Sequence, residues 1–288
     1  MTSEDFLAKM AESSRERSLA AQALLPTSEL VARIRDLEPA PSLTLSAQGF
    51  DLIAELKLRS PAVGALRSAQ QDDLEGRVLR YAEAGAAAVS VLTEPSRFDG
   101  ELSHLERSTR VLRSVGVPAM RKDFLVDDYQ VLEARAAGAG GVLLIVRMLS
   151  RETLSKMLDA TLEQGLFVLL EAFDESDVEI AVRLIEARIG QRSLSPSGSR
   201  VLLGVNCRDL VTLQVIPGRL ESIASKLPQW LPRVAESGLK TAADAERLAA
   251  AGYDVALVGS ALMSGDHPRE LAAEMLDAGR SAKARRAG

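Results

Sequence analysis

The chain has 288 residues, 47% of them hydrophobic and 26% charged. That is the composition of a globular protein, long enough for two average domains or for one α/β barrel of about 250 residues. Its net charge of −5 and pI near 5.3 argue against a nucleic-acid or anionic-membrane surface, while allowing a locally positive pocket for a small anion. Aromatic residues make up only 3%, so the core must be aliphatic. One cysteine, Cys207, and two histidines exclude an intramolecular disulfide, argue against a His/Cys metal cluster and fit a reducing cytoplasm.

The start, "MTSEDFLAKM", carries Glu4 and Asp5 where a secretory signal would carry basic residues, and no run approaches the roughly 18 apolar residues of a membrane-spanning helix. "SEDFLAKMAESSRERSLAAQALL" has the pattern of a helix. "TSELVARIRDL" has the pattern of a second, with Thr27 or Ser28 as its N-cap. "PAPSLTLSAQGF" is a linker. Eight apolar runs then follow: "LIAELK" (52–57), "AAAVSVLT" (86–93), "VPAMRK" (117–122), "GVLLIV" (141–146), "FVLLEA" (167–172), "VLLGVN" (201–206), "PRVAES" (232–237) and "VALVGS" (255–260). Amphipathic stretches of helical period separate them, several ending at a glycine (Gly85, Gly116, Gly138, Gly165, Gly252), as helix C-termini do. Near-continuous apolar strands alternating with helices predict a parallel sheet buried on both faces.

Eight such units predict a single (β/α)8 TIM barrel. A doubly wound sheet is disfavoured because no G-x-G-x-x-G follows the first strand. The expected organisation is a helical extension over 1–41, the barrel over 42–280 and a disordered basic tail over 281–288. "IGQRSLSPSGSR" (189–200) is expected to be a flexible loop on the face opposite the strand C-termini.

The strand C-termini of such a barrel converge on one face, and there the sequence places polar groups in nearly every unit. The first run offers Glu55 and Lys57, which point to the same side. Later runs offer Lys122, Arg147, Glu171, Asn206 and Arg208, then Glu236 and Ser237, then Gly259 and Ser260. Each alone suits a solvated strand end. Together they must face one another or a charged ligand, because an unpaired buried charge costs several kcal/mol. Ser237-Gly238 and Gly259-Ser260 fall at the last two strand-to-helix turns, where small residues leave backbone N–H groups open to a phosphate.

The stretches "IAELKLRSP", "SVLTEPSRFDG", "RKDFLVDDYQVLEARAAGAGGVLLI", "LLEA", "LGVNCRDL", "VAESGL" and "ALVGSALM" occur in this order. Together they resemble the indole-3-glycerol-phosphate synthase family, over 53–263. The resemblance implies a carboxy-lyase of tryptophan biosynthesis, with no metal and no organic cofactor. Its small phosphorylated substrate would be 1-(2-carboxyphenylamino)-1-deoxyribulose 5-phosphate, and other enzymes of the pathway are candidate partners. It implies Lys122 as general acid, Glu171 as acid/base carboxylate and Glu55 as its partner or alternate. Lys57 would contact phosphate and assist dehydration, and Arg208 would hold the substrate carboxylate. Asn206 and Glu236 would position hydroxyls and lysines. Ser60 would sit in a mobile loop after the first strand. Phe98, Phe124 and Leu143 are candidates for the wall around the aryl ring. Ser237 is expected on the substrate, with Gly238, Gly259 and Ser260 on its phosphate. The family uses its N-terminal extension as a lid near the catalytic mouth.

The sequence departs from the family pattern at Ala172-Phe173, where Val-His is usual, and at Cys207, Ala62 and Glu101. A paralogue serving a secondary pathway would show such drift. Three further alternatives remain open. One is a Schiff-base aldolase, or another phosphosugar-binding barrel enzyme, with Lys122 as nucleophile. Another is phosphoribosylanthranilate isomerase, which typically carries a first-strand cysteine where this chain has Glu55. The last is a non-catalytic binding barrel.

Overall fold

The computed structural model describes residues 3–60, 64–66, 73–190, 200–265 and 267–287. Eight parallel strands close a barrel: β1 (Asp51–Leu56), β2 (Ala88–Leu92), β3 (Ala119–Lys122), β4 (Gly141–Ile145), β5 (Phe167–Ala172), β6 (Val201–Asn206), β7 (Arg233–Glu236) and β8 (Val255–Val258). Ile53 pairs with Ala88 on one side of β1 and Leu257 on the other, which shuts the ring. The strands end one or two residues short of some apolar runs, so Lys57, Val146, Ser237, Gly259 and Ser260 lie just beyond them. There the chain leaves the ladder and its polar groups turn toward the barrel mouth.

Period-two alternation sorts the core into two layers. Leu52, Ala54 and Leu56 of β1 face out, toward a ring of helices, together with Val142, Leu144, Val168 and Leu170. Ile53, Met120, Leu143, Phe167, Leu169, Leu202, Val234 and Val255 face in and fill the interior. The outer helices are α3 (Leu74–Glu83), α4 (Leu102–Leu112), α5 (Asp128–Ala136), α6 (Arg151–Glu163), α7 (Glu175–Gly190), α8 (Arg219–Ala224), α9 (Ala242–Ala251) and α10 (Pro268–Ala287), after α1 (Ser3–Leu24) and α2 (Thr27–Arg35) at the N-terminus. Short helical turns, Pro95–Phe98 and Ser260–Ser264, follow β2 and β8. The five glycines expected at helix ends all have positive φ, from 70° to 117°, where a side chain would be strained. Among the described residues, no helix is long and apolar enough to cross a membrane.

Three expectations are corrected or fall outside the described residues. The basic segment from residue 281 is not disordered as far as residue 287, where it continues α10. Its cations have partners: Lys283 Nζ lies 2.6 Å from Asp254 Oδ1, and Arg286 donates to Ala250 O at the C-terminal end of α9, where cations are favoured. α2 is preceded by Pro26 as N-cap (φ −57°), with no side-chain cap. Thr27 and Ser28 therefore sit in the first turn, because proline's fixed φ sets the start one residue earlier. Most of the loop over 189–200 lies outside the described residues, as does Ala62.

After β1, Arg59–Ser60 pairs antiparallel with Gly64–Ala65, and this hairpin holds Ser60 buried at the barrel mouth.

Candidate active site

The triplet Arg121-Lys122-Asp123 divides its charges between three places. Arg121 points outward and donates to Gln130 O and Glu133 Oε2 of α5, at 2.9 and 3.1 Å. Lys122 follows Met120 on the inward face, with Nζ 3.3 Å from Glu171 Oε2 and 3.4 Å from Glu236 Oε2. Burial alone would lower the Lys122 pKa, but Glu171, Glu236 and Glu55 outweigh it and hold the ammonium above its ordinary value. Glu236 behaves oppositely. Burial, reinforced by Glu171, pushes its carboxyl up to about 8 despite Lys122. Asn206 Nδ2 donates to Glu171 Oε1 at 2.6 Å, and its own Oδ1 accepts from Arg208 N at 2.9 Å.

Across the barrel, Lys57 Nζ lies 2.6 Å from Glu55 Oε1. Burial would raise the Glu55 pKa, but Lys57, Lys122 and Arg208 together keep it below the usual glutamate value. The pair sits against Gly259, where an added Cβ would fall 2.2 Å from Glu55 Oε1 and 2.8 Å from Lys57 Nζ. Gly259 thus leaves space for the ion pair as well as an open turn.

Arg208 is oriented by the loop after β6: its NH1 donates to Leu213 O at 2.6 Å, and Arg208 pairs with Val215. Ser237 and Gly238 have φ of 71° and 83°, a left-handed turn that exposes backbone N–H groups. The buried Cys207 donates to Ser237 O beneath this turn at 3.3 Å, and burial raises its thiol pKa. A buried thiol with a raised pKa is inert, so Cys207 supports the turn.

These groups line a cavity of about 620 Å³, within the range that holds a small ligand. Every residue to which the family resemblance assigns a catalytic or binding role lies on its wall, including Ser60, Phe98, Phe124, Leu143, Gly238 and Ser260. Arg147, grouped with them only as a strand-end cation, does not. It folds back to Asp177 Oδ2 at 2.7 Å and to Asp174, with its guanidinium 4.9 Å over the Phe173 ring. Phe173, at the family's histidine position, is an apolar part of the wall. Glu101 stays outside the cavity, as the residue before α4, and accepts from Ser103 Oγ at 3.0 Å.

Sequence reading placed the N-terminal extension near the mouth but missed which residues of α1 reach it. Phe6 packs edge-on to Phe124 at 6.0 Å, and Phe98 lies tilted 6.4 Å from Phe124. Asp123 takes a two-pronged bond from Arg17, NH1 at 3.0 Å and NH2 at 2.8 Å, with Thr93 Oγ1 and Phe124 N each at 2.8 Å. Nothing in the local pattern of "SEDFLAKM" separates Phe6 from an ordinary helix residue. The charged triplet was the available signal for Asp123. Among the described residues no group of three or more His, Cys, Asp or Glu could hold a metal ion.

A family model described as "Indole-3-glycerol phosphate synthase" matches residues 5–275. The indole-3-glycerol phosphate synthase of Parafrankia sp. (strain EAN1pec) is 40% identical over 272 residues, covering 94% of this chain and 92% of that one. The Mycobacterium leprae (strain Br4923) synthase is 39% identical over 244 residues, covering 84% and 83%. Among solved structures, 3-hexulose-6-phosphate synthase from Salmonella typhimurium superposes with a TM-score of 0.58 at 13% identity, over 82% of this chain and 99% of that one, a likeness of fold alone.

Proposed function

The chain belongs to the indole-3-glycerol phosphate synthase family, and on that premise we propose how its site turns 1-(2-carboxyphenylamino)-1-deoxyribulose 5-phosphate into indole-3-glycerol phosphate, carbon dioxide and water. The phosphate sits against the turns at Ser237-Gly238 and Gly259-Ser260, within reach of Lys57. Arg208 takes the substrate carboxylate, a task suited to a planar guanidinium. The aryl ring lies among Phe124, Phe98, Leu143 and Phe6. So placed, the ring carbon bearing the carboxylate attacks the ketone carbon, and Lys122 protonates the developing alkoxide. Carbon dioxide then leaves and its bonding electrons restore the ring. The new hydroxyl departs as water with a proton from Lys57, while Glu171, with Glu55 as alternate, removes the proton whose loss completes the indole. Asn206 steadies Glu171 throughout.

One observation carries this reading: the Lys122 ammonium lies between Glu171 and Glu236 and faces the cavity. Glu171, backed by Glu236 and Glu55, favours a protonated amine that yields its proton only to a strong base, which the alkoxide is. The same environment disfavours a Schiff-base aldolase, whose lysine must attack as the free amine. Purified protein given the carboxyphenylamino-deoxyribulose phosphate should generate indole fluorescence. No fluorescence, together with a borohydride-trapped adduct on Lys122 from a ketose phosphate, would replace this reading with the aldolase.

Arg208→Ala should act chiefly on affinity. A hydrogen bond to a charged group contributes about 1.5–3 kcal/mol, so substrate binding should weaken roughly tenfold to a hundredfold. An analogue lacking the carboxylate should bind both proteins alike. If it still favours the wild type, Arg208 serves another part of the substrate.

A further inference from the structure

Gly204 lies inside β6, between inward-facing Leu202 and Asn206, in register with Glu171 of β5 and Val234 of β7. Its φ is not in the left-handed region, so conformational freedom does not explain it. A glycine inside a strand weakens that strand and often marks a close approach by another group. Here the approaching group is the Glu236 carboxyl. A Cβ on Gly204 would fall 2.2 Å from Glu236 Oε1 and 3.2 Å from its carboxyl carbon. Glu236 is 1% exposed, and Oε1 has no hydrogen-bond partner among the described residues. Its other oxygen, Oε2, is the one 3.4 Å from Lys122 Nζ. Thus one oxygen fills the space that glycine leaves, and that placement aims the other at the lysine.

Besides that carboxyl, the three atoms nearest the added Cβ include Leu169 Cδ1 at 3.0 Å. Both obstacles are ends of flexible side chains, so the barrel can accept a methyl group there by displacing the carboxyl. The consequence falls on the site and spares the strand ladder.

We propose that Gly204 is a positioning residue of this reaction: its empty side of β6 seats the Glu236 carboxyl, which with Glu171 fixes the Lys122 ammonium where the substrate oxygen is protonated. The proposal rests on the ring-closure reading above.

The test is a double-mutant cycle of Gly204→Ala and Glu236→Ala, with wild type in the same indole-forming assay. Displacing a catalytic group by about 1 Å costs on the order of a hundredfold in rate, so Gly204→Ala should lower kcat by about tenfold to a hundredfold and leave KM nearly unchanged. In the Glu236→Ala background the seat is vacant, and adding Gly204→Ala should lower kcat no further. A kcat for Gly204→Ala equal to wild type would overturn the proposal. So would a loss that persists undiminished in the Glu236→Ala background, since glycine would then matter to the strand itself. Circular dichroism covers misfolding. If Gly204→Ala fails to fold and the double variant folds, the seat is supported; if both fail, it is overturned. An inactive wild type would overturn the ring-closure reading instead, whatever the variants do.

Discussion

Lys122→Met should lower turnover by about a hundredfold or more, the range of a general acid, with the barrel still folded. Methionine has similar length and leaves the β3 ladder intact, so the change removes a charge and little packing. Three carboxyl groups, Glu55, Glu171 and Glu236, then lose the cation they share. Lys122 now restrains the rise in the Glu236 pKa; without it, the carboxyl keeps its proton to still higher pH. That proton spares the fold a cluster of bare charges. The sign of the pH dependence follows. Glu236 holds its proton up to about 8 when folded, against about 4.3 for a free glutamate. The native state therefore binds more protons between those values, and this group's contribution to stability falls as pH rises through that window. The fall should extend to higher pH in Lys122→Met. Indole fluorescence measures the turnover, and denaturant titration at pH 5 and pH 8 measures the stability. Turnover within a few-fold of wild type would remove Lys122 from the chemistry.

The barrel was legible in the sequence because its determinants are local. Buried strands read as apolar runs, and left-handed glycines such as Gly138 and Gly252 close the helices between them. The site was legible for a related reason. A strand such as "FVLLEA" cannot end in Glu171 unless a partner is near, and in a parallel barrel every strand end is near the others. What failed to show depends on contacts across long stretches of chain. Phe6 and Phe124 meet across more than a hundred residues, as do Arg17 and Asp123, and no periodicity announces either. Arg147 misled because its position at a strand end matched the others. A short helical turn (Val146–Met148) follows β4 and delivers the guanidinium to Asp174 and Asp177. The basic tail misled because its composition suits solvent, while its register on α10 matches Asp254 and the carbonyls of α9. Gly204 was read as one letter of an apolar run, since its importance lies in a carboxyl from the neighbouring strand.

Asp123→Ala should produce the largest loss of stability. Its side chain is fully buried and joins three elements: Arg17 of α1, Thr93 just after β2, and Phe124 N just after β3. Arg121 NH2 adds a longer contact at 3.4 Å. Removing the carboxylate leaves the buried Arg121 short of an anion and Arg17 without its partner. Breaking a buried pair from one side costs about 3–5 kcal/mol, which corresponds to a fall in the thermal midpoint on the order of 10 °C. Arg17→Met should cost less, because Asp123 then keeps its bonds to Thr93, Phe124 N and Arg121. Acid should reveal the same group. Burial would raise the Asp123 pKa, but Arg17, Arg121 and Thr93 outweigh it and hold the folded value below normal. Its stabilisation is therefore complete above the unfolded pKa of about 3.9 and is lost as pH falls through the lower folded value. Wild type should lose more stability than Asp123→Ala on acidification through that range. Function should follow stability, because α1 carries Phe6 into the cavity wall. Once the ion pair is gone, amides along α1 should exchange faster and substrate should bind more weakly, even in the folded fraction. A variant as stable as wild type, with α1 still protected, would mean that the packing of Phe6, Leu7 and Met10 holds the helix without help from the ion pair.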